Sequence, residues 1–540
     1  MVKRVGIPER WDMEVDVVSV GSSSGGLVAA IIGHDLGLST VLLEKSDALG
    51  GGTALSGGQI WIPYNHHMLE MGLTDSREEA LTYIRRVSMG RHDEGILAAY
   101  LDNGPEMIRY IEEHTPLKLA VHLSPDYYAE VPGGKINRRL WPDPELMTPM
   151  LTEVEKTQPL LGKVRRDPVP FFMGMRDLWS EGRGLVGPLV LACGERGIDM
   201  LTNIRARQLI VQDGRVIGLR AERGGRDFFV KGKKGVLLAT GGYEWNEEMC
   251  KRFMYGTALR AYTPPSNEGD GHIMGMEVGA AVALMEHSIF QPVVHYRGEE
   301  FDGKPLYRGI AYGCPGMILV NRHGKRCCDE SFYPDIGRAF VAYDKVSSQL
   351  ANVPIFWIAD QALMDRTGMS YLVTDTEMPD WLRRADTLPG LAEQLGLPPD
   401  NLVETVEQFN SFARDGRDPD FHRGESAYDR YFGSSISSIF APSSTLTLPN
   451  TALSPVEELP FYGCQLHLGT VGNLGGLVIN GNAQVINAQG EVIPGLYGTS
   501  NTAAHLSHGF SYDSGSSHGK SMIFGYIAAR HMARGGKRSS

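Results

Sequence analysis

The N-terminal segment leaves this chain few folds to choose from. Val15-Asp16-Val17-Val18-Ser19-Val20 reads as a buried strand, Gly21-Ser22-Ser23-Ser24-Gly25-Gly26 as a tight small-residue turn, and residues 27–36 as a helix ending at Gly37. Glu44 closes a second strand. In such a β-α-β unit, small turn residues let the backbone approach a pyrophosphate. The N–H groups at the helix start supply the positive end of a dipole, and the acidic residue faces a ribose. Ser23 stands where a second fingerprint glycine is expected, which leaves Gly21, Ser22, Ser24, Gly25 and Gly26 as candidate phosphate contacts, with Glu44 and Lys45 at the ribose.

A second glycine-rich turn follows at once, Gly50-Gly51-Gly52-Thr53-Ala54 with Ser56-Gly57-Gly58, before apolar Ile60-Trp61-Ile62. A nicotinamide cofactor has no need of it. A flavin does, because its isoalloxazine and ribityl chain run on past the pyrophosphate and need close backbone contact. Gly51, Gly52, Thr53, Ser56, Gly57 and Gly58 therefore join the candidate set. Gly235-Val236-Leu237-Leu238-Ala239-Thr240-Gly241-Gly242 is another buried strand ending in glycines, a natural second wall for a dinucleotide. Asn267-Glu268-Gly269-Asp270-Gly271 opens a helix over residues 273–282, where Asp270 either caps the helix or belongs to a turn that meets a ribityl or phosphate oxygen.

At 540 residues, 42% of them hydrophobic, the chain is long enough for two cored domains. A net charge of −12 opposes nucleic acid or an anionic membrane as the main partner. The 16 histidines show no H-E-x-x-H pattern and no Cys/His cluster has zinc spacing, so no metal is expected. Six scattered cysteines, two adjacent at Cys327-Cys328, form no disulfide framework and suit a reducing cytoplasm. Polar Pro8-Glu9-Arg10 follows Met1-Val2-Lys3-Arg4 with no apolar run, so no secretory signal is expected, nor any spanning helix.

Periodicity predicts helices over residues 82–88, 96–115 (broken at Asn103-Gly104-Pro105), 185–197 and 519–532. Residues 122–142 read as loop, and Asp213-Gly214 as a hairpin turn. Leu402, Val406 and Phe409 share a helical face after a cap at Asp400. The resulting fold class is α/β: a discontinuous Rossmann-like FAD-binding domain over residues 1–286 and 455–540, with an inserted α+β substrate domain over residues 287–454.

With these residues in place, the chain resembles the fumarate reductase/succinate dehydrogenase flavoprotein superfamily and, within it, the FAD-dependent 3-ketosteroid dehydrogenases. The resemblance covers nearly the whole chain. It rests on the two glycine turns with Glu44-Lys45, on Trp61-Ile62-Pro63 and Pro125-Asp126-Tyr127-Tyr128, and on Asn321 with Gly324 and Arg326. Asp329-Glu330-Ser331, Phe421-His422-Arg423-Gly424-Glu425, Leu468-Gly469-Thr470, Gly475-Gly476 and Gly495-Leu496-Tyr497 with Asn501-Thr502 complete it. By position it also implies flavin contacts at Ala206, Asn501, Gly519, Ser521 and Met522.

In that family a 3-ketosteroid loses a hydride to flavin N5 and a proton to a protein base. The resemblance makes Tyr333 the base, Tyr127 its support, and Tyr512 the donor to the C3 carbonyl, helped by a backbone N–H near Gly515. Phenols suit both tasks, since they donate to an enolate-like oxygen without ionising, and accept an α-proton when their pKa is lowered. Glu330-Ser331-Phe332-Tyr333-Pro334 is one residue shorter than the family's usual spacing. Tyr512-Asp513-Ser514-Gly515-Ser516 lacks the Tyr-Pro-Gly-x-Gly of the 1,2-dehydrogenating members and looks more like the 4,5-dehydrogenating ones, making Ser514 a candidate for the C4 proton. Asp126-Tyr127-Tyr128 resembles the 1,2 branch instead, so both positions stay open with a slight lean to 4,5.

A fumarate-type reductase is the first rival. It would need an arginine clamp for two carboxylates, where this chain has Ser507-His508-Gly509-Phe510-Ser511-Tyr512. A non-catalytic flavin-binding protein is the second. The electron acceptor and the oligomeric state leave no mark in the sequence; no CxxCH is present for an attached haem.

Overall fold

The first strand, Met13–Val20, is flanked in parallel on both sides. Val17 lies opposite Thr40 and Val20 opposite Leu43 on one side, and Val20 lies opposite Leu238 on the other. A strand covered on both faces needs an unbroken apolar run, which its valines supply. The protein is described here by a computed structural model covering residues 6–166, 179–254, 259–310, 312–367, 378–440, 448–509 and 513–535. The sheet runs Gln484–Ile486, Val492–Gly498, Arg226–Leu238, Met13–Val20, Thr40–Leu43, Asp199–Leu201. Strands from both ends of the chain thus meet in one Rossmann-like layer. An antiparallel hairpin, Ile204–Gln212 with Arg215–Arg223, extends it through the Asp213-Gly214 turn, where both residues have positive φ.

The helix after the first strand, Ser24–Asp35, packs on the last helix, Ser516–Ala533, with almost no side chain between them. A Cβ on Gly25 would come within 2.2 Å of the Ser521 carbonyl oxygen, and one on Gly525 within 2.2 Å of the Gly25 oxygen. These glycines bring the last helix against the dinucleotide turn.

A second, mainly antiparallel sheet runs Lys304–Gly309, Ser288–Phe301, Phe461–Asn473, Ile355–Ala359, Met317–Asn321. Alternation places Met317 and Leu319 in one apolar cluster with Trp357, and Ile318 and Val320 in another with Leu402, Val406 and Phe409. The predicted helical face is therefore the lid of this sheet's far side.

Several expectations need correction. Phe461–Asn473 pairs with Ser288–Phe301 and Ile355–Ala359, so the inserted layer reaches Asn473 instead of ending at residue 454. Pro105 does not break its helix, which runs unbroken from Glu94 to His114. A proline there leaves the Leu101 carbonyl without its helical donor, and the Tyr64 hydroxyl donates to that oxygen instead. The helix predicted from residue 273 spans Asp270–Glu277 and is capped by Gly269, so Asp270 occupies its first turn and is not the cap. Asp400 likewise lies inside the helix Pro399–Asp415, whose cap is Pro398. The ends of the predicted loop 122–142 are strand: Leu119–His122 pairs with Arg139–Pro142, which pairs with Ile60–Trp61.

Candidate active site

The carboxyl ends of the parallel strands open onto one cavity that continues between the two layers. Its wall holds Gly21, Ser22, Glu44 and Lys45 from the first β-α-β unit, and Gly51, Gly52, Thr53, Ser56, Gly57 and Gly58 from the second turn. Ala206, Thr240, Gly241, Asn267, Asp270, Asn501 and Ser521 join them.

The local causes are visible. Gly21 has φ +101°, and a Cβ there would meet the Ala239 oxygen at 2.4 Å, so only glycine turns the chain at that point. Ser23 has φ −61°, needs no glycine, and caps the helix by accepting from the Gly26 N–H. The carboxylate of Glu44 accepts from the Ser22 N–H and hydroxyl at 3.1 and 2.6 Å and from the Ser46 N–H at 2.9 Å, tying the turn to the second strand. Lys45 donates to Glu268 at 2.9 Å and to Asp270 at 2.7 Å.

An FAD fits these residues. A Cβ on Gly51, where φ is +49°, would meet nothing within 4 Å, and one on Gly52 nothing nearer than 3.8 Å, so bare backbone faces the space. The Ser24 hydroxyl, in the first turn of the helix, is buried with no hydrogen-bond partner.

Other expected contacts lie outside the wall. Ser24, Gly25 and Gly26 belong to the buried first turn of the helix, and a Cβ on Gly26 would meet the Gly21 oxygen at 2.2 Å. Gly242 is closed off by Glu244 (2.1 Å to a Cβ), while Gly269 caps its helix under Met249. Gly519 sits against the Tyr100 hydroxyl and the Trp61 oxygen, and Met522 is fully buried in the last helix. Close packing limits the side chains at Gly25, Gly26, Gly242, Gly269 and Gly519.

The same cavity is lined by Tyr127, Tyr333, Ser514 and Gly515. Tyr333 is the first residue of the helix Tyr333–Val341, and its hydroxyl lies 2.9 Å from that of Tyr127, which is itself 3.1 Å from the Ser514 hydroxyl. Tyr512 lies outside the described residues. Tyr428 and Phe432 stack at 5.7 Å, and Phe432 stacks with Tyr312 at 5.4 Å, giving an aromatic wall suited to a flat apolar body. Burial pushes the Tyr127 phenol up, opposed first by Arg139 and then by its hydrogen bonds with Ser514 and Tyr333. Asp513 accepts from the Tyr127 N–H and the Tyr83 hydroxyl, both at 2.7 Å; burial and neighbouring Asp126 push its carboxyl up to about 6.

Sequence reasoning missed Arg139, Arg308 and His122 in the wall. Arg308 covers the Tyr262 ring at 4.4 Å. Burial, helped by Arg139, lowers His122 to about 4, so its imidazole is neutral near pH 7. The doublet Arg138-Arg139 was visible in the sequence, but only the strand beginning at Arg139 shows which guanidinium meets the cavity.

Comparison with known proteins agrees with this geometry. The family described as "FAD binding domain" matches residues 16–517. A 3-oxosteroid 1-dehydrogenase of Mycobacterium tuberculosis (strain ATCC 25618 / H37Rv) is 34% identical, over 97% of this chain and 99% of that one. A 4-oxocyclohexanecarboxylate 2-dehydrogenase of Sinomonas cyclohexanicum is also 34% identical, over 96% of this chain and 92% of that one. Among solved structures, 3-ketosteroid delta1-dehydrogenase from Sterolibacterium denitrificans, in complex with 1,4-androstadiene-3,17-dione, superposes with a TM-score of 0.84 at 28% identity, covering 96% of this chain and 99% of that one.

Proposed function

The chain belongs to the FAD-binding flavoprotein family that contains the 3-ketosteroid dehydrogenases, and from that premise we propose that it desaturates ring A of a 3-ketosteroid between C1 and C2. It is an FAD-dependent oxidoreductase acting on CH–CH groups. The observation that carries the proposal is the hydroxyl pair of Tyr127 and Tyr333, 2.9 Å apart on the wall of the cavity that also holds the glycine turns.

Bound FAD supplies a two-electron acceptor for hydride. The remaining work falls to the chain. Tyr333 accepts the α-proton at its phenolic oxygen, and Tyr127 holds that oxygen in place and shares the proton through its own hydroxyl. Tyr512 and the N–H of Gly515 are the proposed donors to the ketone oxygen, where negative charge develops. Tyr428, Phe432 and Tyr312 orient the ring system and exclude water. We place the enzyme in a reducing cytoplasm, in keeping with six unpaired thiols. Its electron acceptor is a separate molecule.

A second reading, desaturation between C4 and C5, draws on Ser514, whose hydroxyl lies 3.1 Å from that of Tyr127 and could pass a C4 proton along that contact. Incubating the FAD-loaded enzyme with a 3-ketosteroid saturated in ring A, then locating the new double bond by NMR, separates the two. The C1–C2 alkene is the expected product; a C4–C5 alkene transfers the base to Ser514. 4-Oxocyclohexanecarboxylate, run alongside, is expected to turn over more slowly because it leaves the aromatic wall unfilled.

A further inference from the structure

Two consecutive arginines meet opposite fates in this fold. Arg138 is neutralised on both sides: it donates to Asp75 at 2.8 and 2.7 Å and to Asp126 at 2.8 Å. Arg139 is equally buried but poorly matched. One of its nitrogens donates to the Pro125 oxygen at 2.7 Å, Asp513 stands 3.9 Å away, and its Nε is buried with no hydrogen-bond partner. Its guanidinium carbon lies instead 5.0 Å from the centre of the Tyr127 ring and 5.9 Å from that of Tyr428. A desolvated cation without a full counter-charge is costly to keep. Here it faces phenols at the very place where one must carry negative charge.

We propose that Arg139 is a positioning residue whose charge favours the proton-accepting form of the Tyr127–Tyr333 pair. The inference rests on the function proposed above. When the α-C–H bond breaks, its proton forms an O–H bond on the phenolate oxygen. The electron pair left on carbon becomes the new double bond as hydride leaves the neighbouring carbon for the bound flavin. Arg139 favours the state before transfer, in which the pair is one proton short. The groups facing the pair are Arg139 from the adjoining strand, Asp513 and Ser514 from the C-terminal loop, and the rings of Tyr428 and Tyr312; His122 and Asp126 interact with Arg139 itself. Among them, Arg139 acts to lower the Tyr127 phenol and Asp513 to raise it.

The test is the pH dependence of flavin reduction in single turnover, followed anaerobically in FAD-loaded wild type, Arg139→Met and Arg139→Lys. Removing the charge is expected to move the pKa of the limb that needs the ionised pair upward by about one unit or more, the scale on which a nearby cation lowers an acid's pKa. Lysine is expected to restore most of the shift. The ultraviolet phenolate absorption that disappears in Tyr333→Phe should titrate upward to the same extent, without any turnover. Equal loss at every pH with an unmoved pKa overturns the inference by making Arg139 structural. So does a rise in KM confined to carboxylated ketones, which would make it a substrate anchor. If the methionine variant does not fold, Asp513→Asn supplies the opposite sign: the limb should move down, and a pKa that stays or rises overturns the inference. A wild type that no cyclic ketone reduces contradicts the proposed function instead.

Discussion

The hydroxyl of Tyr127 lies 2.9 Å from that of Tyr333, although 206 positions separate them in the chain. Tyr127 comes from the loop between two short strands of the dinucleotide half, while Tyr333 begins a helix of the second layer. The hydroxyl pair therefore exists only when the two layers are docked. Tyr127 is held there through its backbone by Asp513 and by ring contacts with Tyr333 and Tyr428 at 5.5 and 4.5 Å.

Tyr333→Phe removes the proposed proton acceptor and should slow flavin reduction by about 10²-fold or more. Tyr127→Phe removes only its support and should cost about tenfold, on the scale of one neutral hydrogen bond. Anaerobic stopped-flow on both variants checks the order, and a larger loss in Tyr127→Phe would reverse the two roles.

Gly525→Ala should destabilise the protein by about 1–3 kcal/mol through overpacking, because the added methyl would meet the Gly25 oxygen at 2.2 Å. Urea denaturation measures it. The same variant should bind flavin less tightly, since the Gly25 backbone forms part of the turn beneath the cofactor space.

Glu44→Ala strips the acceptor from the Ser22 and Ser46 donors, and hydrogen bonds to a charged group are each worth about 1.5–3 kcal/mol. Flavin retention should fall by about tenfold or more, read as free-flavin fluorescence on dilution. Unchanged retention would remove Glu44 from the cofactor site.

The buried Glu330 receives Arg326 at 2.9 and 2.8 Å and Arg423 at 3.1 Å. Burial works to raise its pKa, but the two arginines overcome it and hold the carboxyl below its ordinary 4.5. A folded pKa below the unfolded one means that the unfolded chain takes up the proton first as pH falls. The stabilisation is thus complete above about 4.5 and fades below it. Glu330→Gln should cost about 3–5 kcal/mol near neutral pH, with the gap to wild type closing under acid. A gap indifferent to pH would show that Glu330 acts by packing alone.

Much of the cofactor half was legible because steric rules act locally. A turn with φ of +101° at Gly21 admits only glycine, and valine-rich parallel strands look alike in any context. Tyr333 was placed from its resemblance despite the shortened spacing, and the structure brings it to Tyr127. What failed depended on distant partners. Pro105 sits inside a helix because the Tyr64 hydroxyl serves the Leu101 carbonyl, 37 positions away. Composition alone set the boundary at residue 454, and only strand pairing shows Phe461–Asn473 in the second sheet. Nothing local distinguishes Arg139 from Arg138; the carboxylates that neutralise one and neglect the other arrive from elsewhere.

The central claim is that this cavity takes hydrogen from a ketone-bearing ring. Adding a ring-A-saturated 3-ketosteroid to the oxidised, FAD-loaded enzyme without oxygen tests it most directly. Bleaching of the flavin, with one alkene formed per flavin reduced, is the expected result. A flavin that stays yellow with the steroid, but whose reduced form is reoxidised by a small dicarboxylate such as fumarate, would contradict it.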